Sequence, residues 1–490
     1  MSSQDTDKKI FGRHVGQLVS GTIIAQIIYL CLYPIITRLF DPATYGSYSL
    51  ICSIVSILAV IGCFRYEMAI VLPEQDRDAS SLLFASIFIL FGVSFACSFV
   101  LYLFDYEIGV LLNSPDIVVY LWLVPILLFI TSFYTLLRYW NTRHKRFNIQ
   151  AITQVVQTSS MSGTQVGFGL AGLTHLGSLV YAHIIGYFIG SVLILWQNLK
   201  YDARIILSGF SLSNIRKQLA YYKKFPLVDS WGSLINTLSW QIPTFFLAAF
   251  FSPVVTGYYA LGLLVLQAPL SLIGGSLGQV YFQAGADAFR HGNLAGLLED
   301  ITEMLLILSI IPIVLLLTMG GGLFGSVFGL DWVEAGIYCQ ILAIWAFVWF
   351  LTSTTGGPTL AILKKQELGL RFSIFNFIGR LCALIIGGIF NDVYLALVLF
   401  SLSGCITYGY SIYISFSSAR ASFYKVIVKS KKTIAFAFVL AMLLLGFVCF
   451  TEIGGSLQLL LAIAICVLYY IITYITNNTL QLYFPLRRRN

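Results

Sequence analysis

The chain alternates between apolar runs of about 20 residues, each long enough to cross a hydrocarbon core of ~30 Å, and short polar connections. Fourteen such runs are read, near 15–37, 48–71, 80–104, 118–138, 150–172, 177–198, 225–250, 257–282, 298–320, 335–355, 368–389, 393–416, 433–450 and 457–479. No polar stretch is long enough to build a separate soluble domain. The pattern predicts an all-α polytopic membrane protein. Its first run follows Lys8, Lys9 and Arg13. A signal peptide has a shorter apolar region and a small-residue cleavage site, so this run reads as an uncleaved span.

Composition agrees: 58% of residues are hydrophobic and 10% charged, against roughly 25% charged in a soluble domain. Basic residues mark the cytoplasmic side. With both termini cytoplasmic, the inner segments hold every Lys and Arg except Arg38, Arg65 and Arg380. The outer loops carry Asp41, Asp105, Glu107, Asp116, Asp331, Glu334, Asp392 and Glu452, with Arg38 as their one basic residue. The net charge of +8 therefore reflects orientation and contact with anionic membrane lipids, not nucleic-acid binding. The nine cysteines sit almost entirely in apolar runs with no CxxC spacing, as small hydrophobes in helix packing do. The five histidines form no ligand pattern. No metal site, cofactor site, phosphate-cradling loop or nucleophile elbow is read. Asn477-Asn478-Thr479 fits a glycosylation sequon but falls at an inner helix end, where it reads as accidental.

Polar punctuation repeats. Phe40-Asp41-Pro42-Ala43-Thr44-Tyr45-Gly46-Ser47-Tyr48-Ser49-Leu50 aligns with Phe251-Ser252-Pro253-Val254-Val255-Thr256-Gly257-Tyr258-Tyr259-Ala260-Leu261 at a constant offset of 211. Phe, Pro, Gly, Tyr and Leu match. One copy lies between predicted spans 1 and 2, the other between 7 and 8, so six spans separate them and the halves have parallel topology. Transporters with such repeats bind substrate near the interface of the halves. The expected organisation is a six-helix lobe at 1–199, a basic cytoplasmic linker at 200–224, a second six-helix lobe at 225–418, and an appended helix pair with a basic tail at 419–490. In each turn proline cannot continue a helix, glycine permits a tight backbone, and tyrosine is read as an interfacial anchor. Pro42, Gly46, Pro253 and Gly257 are thus hinge candidates. So are Pro34 and Pro243 in the outer halves of spans 1 and 7, with Pro269 in span 8, because proline kinks helices.

The stretches "PIITRLFDPATYGSYSL", "RYEMAIVLPEQDRDA" and "YYKKFPLVDSWGSLINTLSWQIPTFFLAAFFSPVVTGYYALGLLVLQAPLSLIG" resemble the polysaccharide-biosynthesis (Wzx-like) oligosaccharide flippases. That family belongs to the multidrug/oligosaccharidyl-lipid/polysaccharide (MOP) exporter superfamily, with the multidrug exporters and the lipid II flippase. The resemblance is clear over the first two spans and spans 7–8, and rests on layout elsewhere. It implies two six-helix lobes around a central cavity, alternating access, and export of an undecaprenyl-diphosphate-linked oligosaccharide across the cell inner membrane. Such units build O-antigen of lipopolysaccharide, capsule or exopolysaccharide.

Intramembrane charges are functional candidates by default. Arg380 lies nine residues beyond Arg371, roughly 13 Å along a helix, near mid-membrane; it reads either as a cavity-facing attractor of anions or as half of a buried pair. Arg65 and Glu67 sit near the inner end of span 2. Two residues apart on a helix they would face opposite ways and not pair. Glu67 would share a polar face with Ser49, Ser53, Ser56 and Cys63, while Arg65 could snorkel to the cytoplasmic edge. In span 7, Asp229, Ser233, Asn236, Trp240 and Thr244 form one polar face, offering a sugar hydrogen bonds and a flat ring, or else gluing helices together. Asp229 could also favour its helix N-terminus. Span 1 presents Thr22, Gln26, Tyr29, Tyr33 and Thr37, span 5 Gln150, Gln154, Gln157 and Thr164, and span 8 Gln267, Ser271, Gly275 and Gly278. Arg38 reads as a partner of Asp41 or as an outer gate or diphosphate contact. Arg380, Arg65, Arg38, Gln26, Asn236 and Trp240 are the substrate-binding candidates, and Glu67 and Asp229 the candidates for coupling or gating by a proton or sodium ion.

Three functions compete. A flippase for a polyprenyl-diphosphate-linked oligosaccharide, working beside polysaccharide-assembly proteins, suits the isolated arginines. A cation-coupled multidrug exporter would favour buried carboxylates. A membrane polymerase or glycosyltransferase needs sizeable catalytic outer loops, which this chain lacks, so no enzyme activity is expected.

Overall fold

The computed structural model describes residues 3–269, 275–450 and 455–477. Ser271, Glu452 and the residues after Asn477 lie outside this set, as do the side chains of Lys8, Lys9 and Arg13. Among the described residues the regular elements are all helical. In chain order the α-helices are α1 (Ser3–Leu39), α2 (Pro42–Gly62), α3 (Tyr66–Ala69), α4 (Asp76–Leu111), α5 (Pro115–Val118), α6 (Val124–Arg143), α7 (Phe147–Leu170), α8 (Leu176–Ser208), α9 (Leu212–Tyr221) and α10 (Ser230–Phe250). They continue as α11 (Pro253–Pro269), α12 (Gly275–Arg290), α13 (Leu294–Phe328), α14 (Val333–Ser353), α15 (Gly356–Ile362), α16 (Gln366–Ile389), α17 (Val393–Ala419), α18 (Phe423–Phe450) and α19 (Gly455–Thr476).

Ten helices among the described residues are long and apolar enough to cross a membrane, which makes this a multi-pass membrane protein. The other four expected spans fall on α7, α10, the pair α11 and α12, and α18. Glutamine, serine and threonine dilute the apolar content of α7 and α10, so the count of fourteen spans rests on the sequence pattern.

Proline sets several helix starts. Pro42 is the first residue of α2, and Asp41 caps it by accepting hydrogen bonds from Thr44 N and Thr44 Oγ1, both at 2.9 Å. Proline at the first helical position forfeits only an N–H that has no intrahelical partner. The second turn has the same chemistry: Pro253 opens α11 and Val255 N donates to Ser252 Oγ at 3.3 Å. Span 2 therefore begins at Pro42, six residues earlier than the apolar pattern suggested, and ends at Gly62 instead of reaching residue 71.

The chain divides into two compact units, Met1–Gly257 and Tyr258–Asn490. In the first, α1 packs on α7, α7 and α6 on α8, α4 on α6, and α2 on α6 and α10. Its basic end is locked by polar clamps. Arg146 donates from both terminal nitrogens to the Asp202 carboxylate at 2.6 and 2.7 Å, and Trp140 Nε1 donates to the same group at 2.9 Å. Arg143 reaches Asp76 at 2.9 Å and the Pro73 carbonyl at 2.6 Å, holding the 70–76 connection. In the second unit, α18 and α19 pack on α13 through Ile311, Leu315, Met319, Leu440, Leu444 and Tyr469. Lys429 pairs with Asp300 at 2.8 Å and Asn477 Nδ2 donates to Glu303 at 2.9 Å, fixing the appended pair at one end.

Candidate functional site

α2 has 21 residues, about 31 Å of rise, the full depth of a hydrocarbon core. Arg65 and Glu67 consequently lie beyond its C-terminal end. The chain does not continue as a helix there. Phe64 and Arg65 take φ of 47° and 63°, a left-handed conformation uncommon for residues other than glycine. This break overturns the expectation that Arg65 and Glu67 face apart: Arg65 Nη1 stands 3.9 Å from Glu67 Oε1. The same guanidinium donates from Nε to Asp229 Oδ2 at 2.9 Å. Asp229 closes a π-helical turn, Phe225–Asp229, that leads into α10. Such turns are rare and often mark functional sites.

One arginine thus bridges two carboxylates of unequal exposure. The Asp229 side chain is 47% exposed and that of Glu67 9%. Beside them lies a cavity of about 230 Å³ lined by Ser56, Cys63, Arg65, Glu67, Ser132 and Tyr187 among others. Glu67 Oε2 and Ser132 Oγ are both buried without a hydrogen-bond partner. Buried polar atoms are rarely left so, and here both belong to residues on one cavity wall. Burial is the main reason the Glu67 carboxyl rises to about 7; the Arg65 charge pulls it down less.

A polar network extends from Tyr187 into the first unit. The Tyr187 ring stacks on His183 with centroids 5.0 Å apart, and the Tyr48 hydroxyl is 2.7 Å from His183 Nδ1. Ser53 Oγ donates to Gln241 Oε1 at 2.9 Å, linking α2 to α10. On α6, Arg138 Nη2 donates to Gln154 Oε1 at 3.4 Å and its guanidinium lies 5.8 Å from the Tyr134 ring. Gln154 Oε1 also accepts from Thr22 Oγ1 at 3.4 Å. The sequence pattern ends a span at Arg138 and counts its charge with the inner basic residues. Its position five residues before Arg143, more than one turn inside the helix end, was the available signal. His183 and Tyr187 gave none, being single polar residues in an apolar run.

In the second unit Arg380 is 2% exposed. Its guanidinium stands 5.4 Å from the Trp345 ring and 5.2 Å from that of Phe400, and Nη2 donates to the Tyr408 hydroxyl at 3.4 Å. Arg38 is exposed, while Asp41 is engaged as the α2 cap. Gln26 and Trp240 are half-buried and Asn236 is exposed; none of the three lines the cavity at Arg65. Pro34 and Pro243 lie inside α1 and α10, with Thr37 Oγ1 donating to the Tyr33 and Pro34 carbonyls at 3.2 Å. The repeated tyrosines, Tyr48 and Tyr259, are buried at 7% and 2% exposure and point inward, not to the membrane interface as the turn chemistry suggested.

The family described as polysaccharide biosynthesis protein matches residues 35–337, more than half of the chain. The chain belongs to this family. No curated protein matches it. Among solved structures it is similar to the lipid II flippase MurJ in an inward closed conformation, at 14% identity over 93% of this chain and 98% of that one, with a TM-score of 0.69. An inward-facing multidrug-resistance MATE-family transporter of the MOP superfamily matches at 12% identity over 81% and 96%, with a TM-score of 0.64. A MOP-superfamily transporter from Pyrococcus furiosus matches at 14% identity over 84% and 96%, with a TM-score of 0.52. The fold of this polysaccharide biosynthesis protein is that of the MOP superfamily.

Proposed function

We propose that this protein is a flippase that carries an undecaprenyl-diphosphate-linked oligosaccharide from the cytoplasmic to the outer leaflet of the inner membrane by alternating access. The observation that carries this reading is Arg138, a half-buried guanidinium more than one turn inside the end of α6 whose described contacts, Gln154 and the Tyr134 ring, are neutral. A cation kept among neutral partners at membrane depth is costly and repays its cost by attracting an anion such as a diphosphate. Family membership supplies the pathway class, and the fold supports a carrier instead of an enzyme. Arg65, Arg38 and Arg380 are further cationic candidates, with Gln26, Asn236 and Trp240 as contacts for sugar.

The Arg65 cluster supports a coupling or gating role. With Glu67 protonated, Arg65 has Asp229 as its charged partner; with Glu67 ionised it is shared. Proton uptake thereby changes what holds the inner end of α2 to the start of α10. This buried carboxyl also favours the second reading, a cation-coupled exporter of small molecules.

The experiment is to locate the lipid-linked oligosaccharide in cells lacking the protein. Accumulation on the cytoplasmic face, relieved by the intact chain but not by Arg138→Ala or Arg380→Ala at equal protein level, supports the flippase. Unpolymerised units on the outer face would replace it with a polymerase. Normal leaflet distribution together with gradient-driven dye efflux would favour the exporter.

A further inference from the structure

We propose that the corner between α8 and α9 is a binding surface for anionic phospholipid headgroups, and that lipid held there steadies the Arg65–Asp229 pair. The surface belongs wholly to the unit Met1–Gly257. The leaflet it meets is the cytoplasmic one in the orientation that the basic residues favour. The inference does not depend on what the protein carries.

The corner is pinned to the bundle. α8 ends at Ser208 and α9 runs from Leu212 to Tyr221. On α4, Ser80 Oγ donates to the Ile206 carbonyl at 2.5 Å and Ser81 Oγ to that of Gly209 at 2.7 Å. Asn214 Nδ2 reaches Asp78 Oδ1 at 2.9 Å and Ser81 Oγ at 2.7 Å. Ile215 and Gln218 form the buried face of α9. These contacts fix which side chains are left outward: Leu207, Phe210, Leu212, Arg204, Arg216 and Lys217 are all exposed.

Two observations say what covers them. The first is apolar continuity. Phe210 packs edge-on against Phe84, with centroids 5.1 Å apart, and stands 6.3 Å from Phe88. Phe88, Phe91 and Phe95 are exposed at helical spacing on α4, which in a membrane-spanning helix makes a hydrocarbon-facing stripe. Phe210 continues that stripe towards the start of α4, with Leu207 and Leu212 beside it in the chain. The second observation is unmatched charge. Asp76 and Asp202 are held by Arg143 and Arg146, and Asp78 by Asn214. Among the described residues no carboxylate pairs with Arg204, Arg216 or Lys217. Apolar side chains beside unpaired cations, at the edge of a hydrocarbon-facing surface, suit an element lying on an anionic leaflet. An acidic protein segment would match the cations but not the apolar side chains that continue the lipid-facing stripe.

α9 is joined to the Arg65 cluster from both sides. The hydroxyl of Tyr66, next to Arg65, donates to the Leu219 carbonyl at 3.0 Å. Leu219 and Tyr222 pack against the cluster that holds Tyr66 and Trp140. Beyond α9 the chain enters the turn Phe225–Asp229, which carries the partner carboxylate. A headgroup that holds α9 therefore orders the backbone on each side of the Arg65–Asp229 bond.

Hydrogen exchange of the purified full chain tests this in nanodiscs of phosphatidylcholine, with and without phosphatidylglycerol. No substrate is present, so the result is separate from whether the protein moves a lipid-linked sugar. Amides of 204–222 are expected to exchange about tenfold more slowly with phosphatidylglycerol, and those of 64–70 to slow as well. Raised salt weakens the effect. Arg204→Gln, Arg216→Gln and Lys217→Gln together, which leave the buried face of α9 intact, abolish it in both segments. Arg371→Gln, a change at an exposed basic residue of the second unit, leaves it in place. Tyr66→Phe keeps the slowing at 204–222 and reduces it at 64–70. Equal exchange in the two lipid mixtures overturns the proposal, as does a full response in the triple variant. Slowing confined to 204–222 in the native chain overturns the link to Arg65. Slowing that appears only on adding polyglutamate assigns the surface to an acidic protein and overturns the lipid.

Discussion

At the scale of single residues, Arg65 carries a testable pH dependence. A carboxyl held near 7 in the folded chain keeps a proton that the unfolded chain, with its ordinary value of 4.5, releases earlier. The stability this contributes is complete below pH 4.5 and lost as pH rises through 7. Arg65→Gln removes the cation beside an ionised Glu67 at high pH, but beside a neutral one at low pH. The expected loss is on the order of 2 kcal/mol at pH 8, discounted from a fully buried pair for the partial exposure of Arg65, and much less at pH 5.5. Thermal melting in detergent at the two pH values checks it; equal losses would mean that Glu67 does not titrate in this window. Glu67→Gln is expected to flatten the native pH dependence of melting. The sequence could name Arg65 and Glu67 as residues of interest because charges are rare in apolar runs. It could not reveal their pairing. Phenylalanine and arginine carry no preference for positive φ, so nothing at Phe64-Arg65 announces the left-handed break that turns the two side chains together.

At the scale of elements, the helices were legible because each must bury or present about 20 apolar residues, while their ends depended on short polar signals. Asp41-Pro42 is the instructive case: apolar periodicity starts the span near Tyr48, but the cap and the proline start the helix. Asp41→Ala removes the acceptor of the Thr44 N–H and is expected to cost about 1 kcal/mol, seen as a lower melting temperature. Ser252→Ala tests the equivalent cap and is expected to cost no more, since its 3.3 Å bond is longer. The clamps at the basic end make a larger prediction. Asp202 is 3% exposed and takes both hydrogen bonds of Arg146. Arg146→Ala leaves that carboxylate buried with the Trp140 indole N–H still donating to it, for an expected loss of about 3 kcal/mol. Trp140→Phe removes one neutral donor and is expected to cost about 1 kcal/mol. If the two variants melted alike, the Arg146 pair would not be what stabilises the α6–α8 contact. Neither clamp could be read from sequence, because Asp202 and Arg146 are 56 residues apart and look like ordinary inner-loop charges.

At the scale of the whole molecule, the internal repeat, the fold class and the family were legible, whereas the chemistry of the interior was displaced by packing. Arg380, expected near mid-membrane, is enclosed by aromatic rings, and Arg138, counted among the inner basic residues, is half-buried within α6. The two arginines therefore make different predictions under the flippase reading. Arg138 touches its neighbours loosely, so what it offers a diphosphate is mainly charge. Arg138→Lys keeps that charge and is expected to retain at least a third of export, while Arg138→Ala falls at least tenfold. Arg380 lies against the rings of Trp345 and Phe400, contacts that suit a flat guanidinium and not a compact, strongly hydrated ammonium. Arg380→Lys is therefore expected to fail nearly as badly as Arg380→Ala. The readout is the amount of lipid-linked oligosaccharide reaching the outer leaflet at matched protein level. Full export by Arg138→Ala would remove the cationic interior as the basis of substrate choice. Rescue by Arg380→Lys would show that the second arginine acts through its charge and not through its aromatic enclosure.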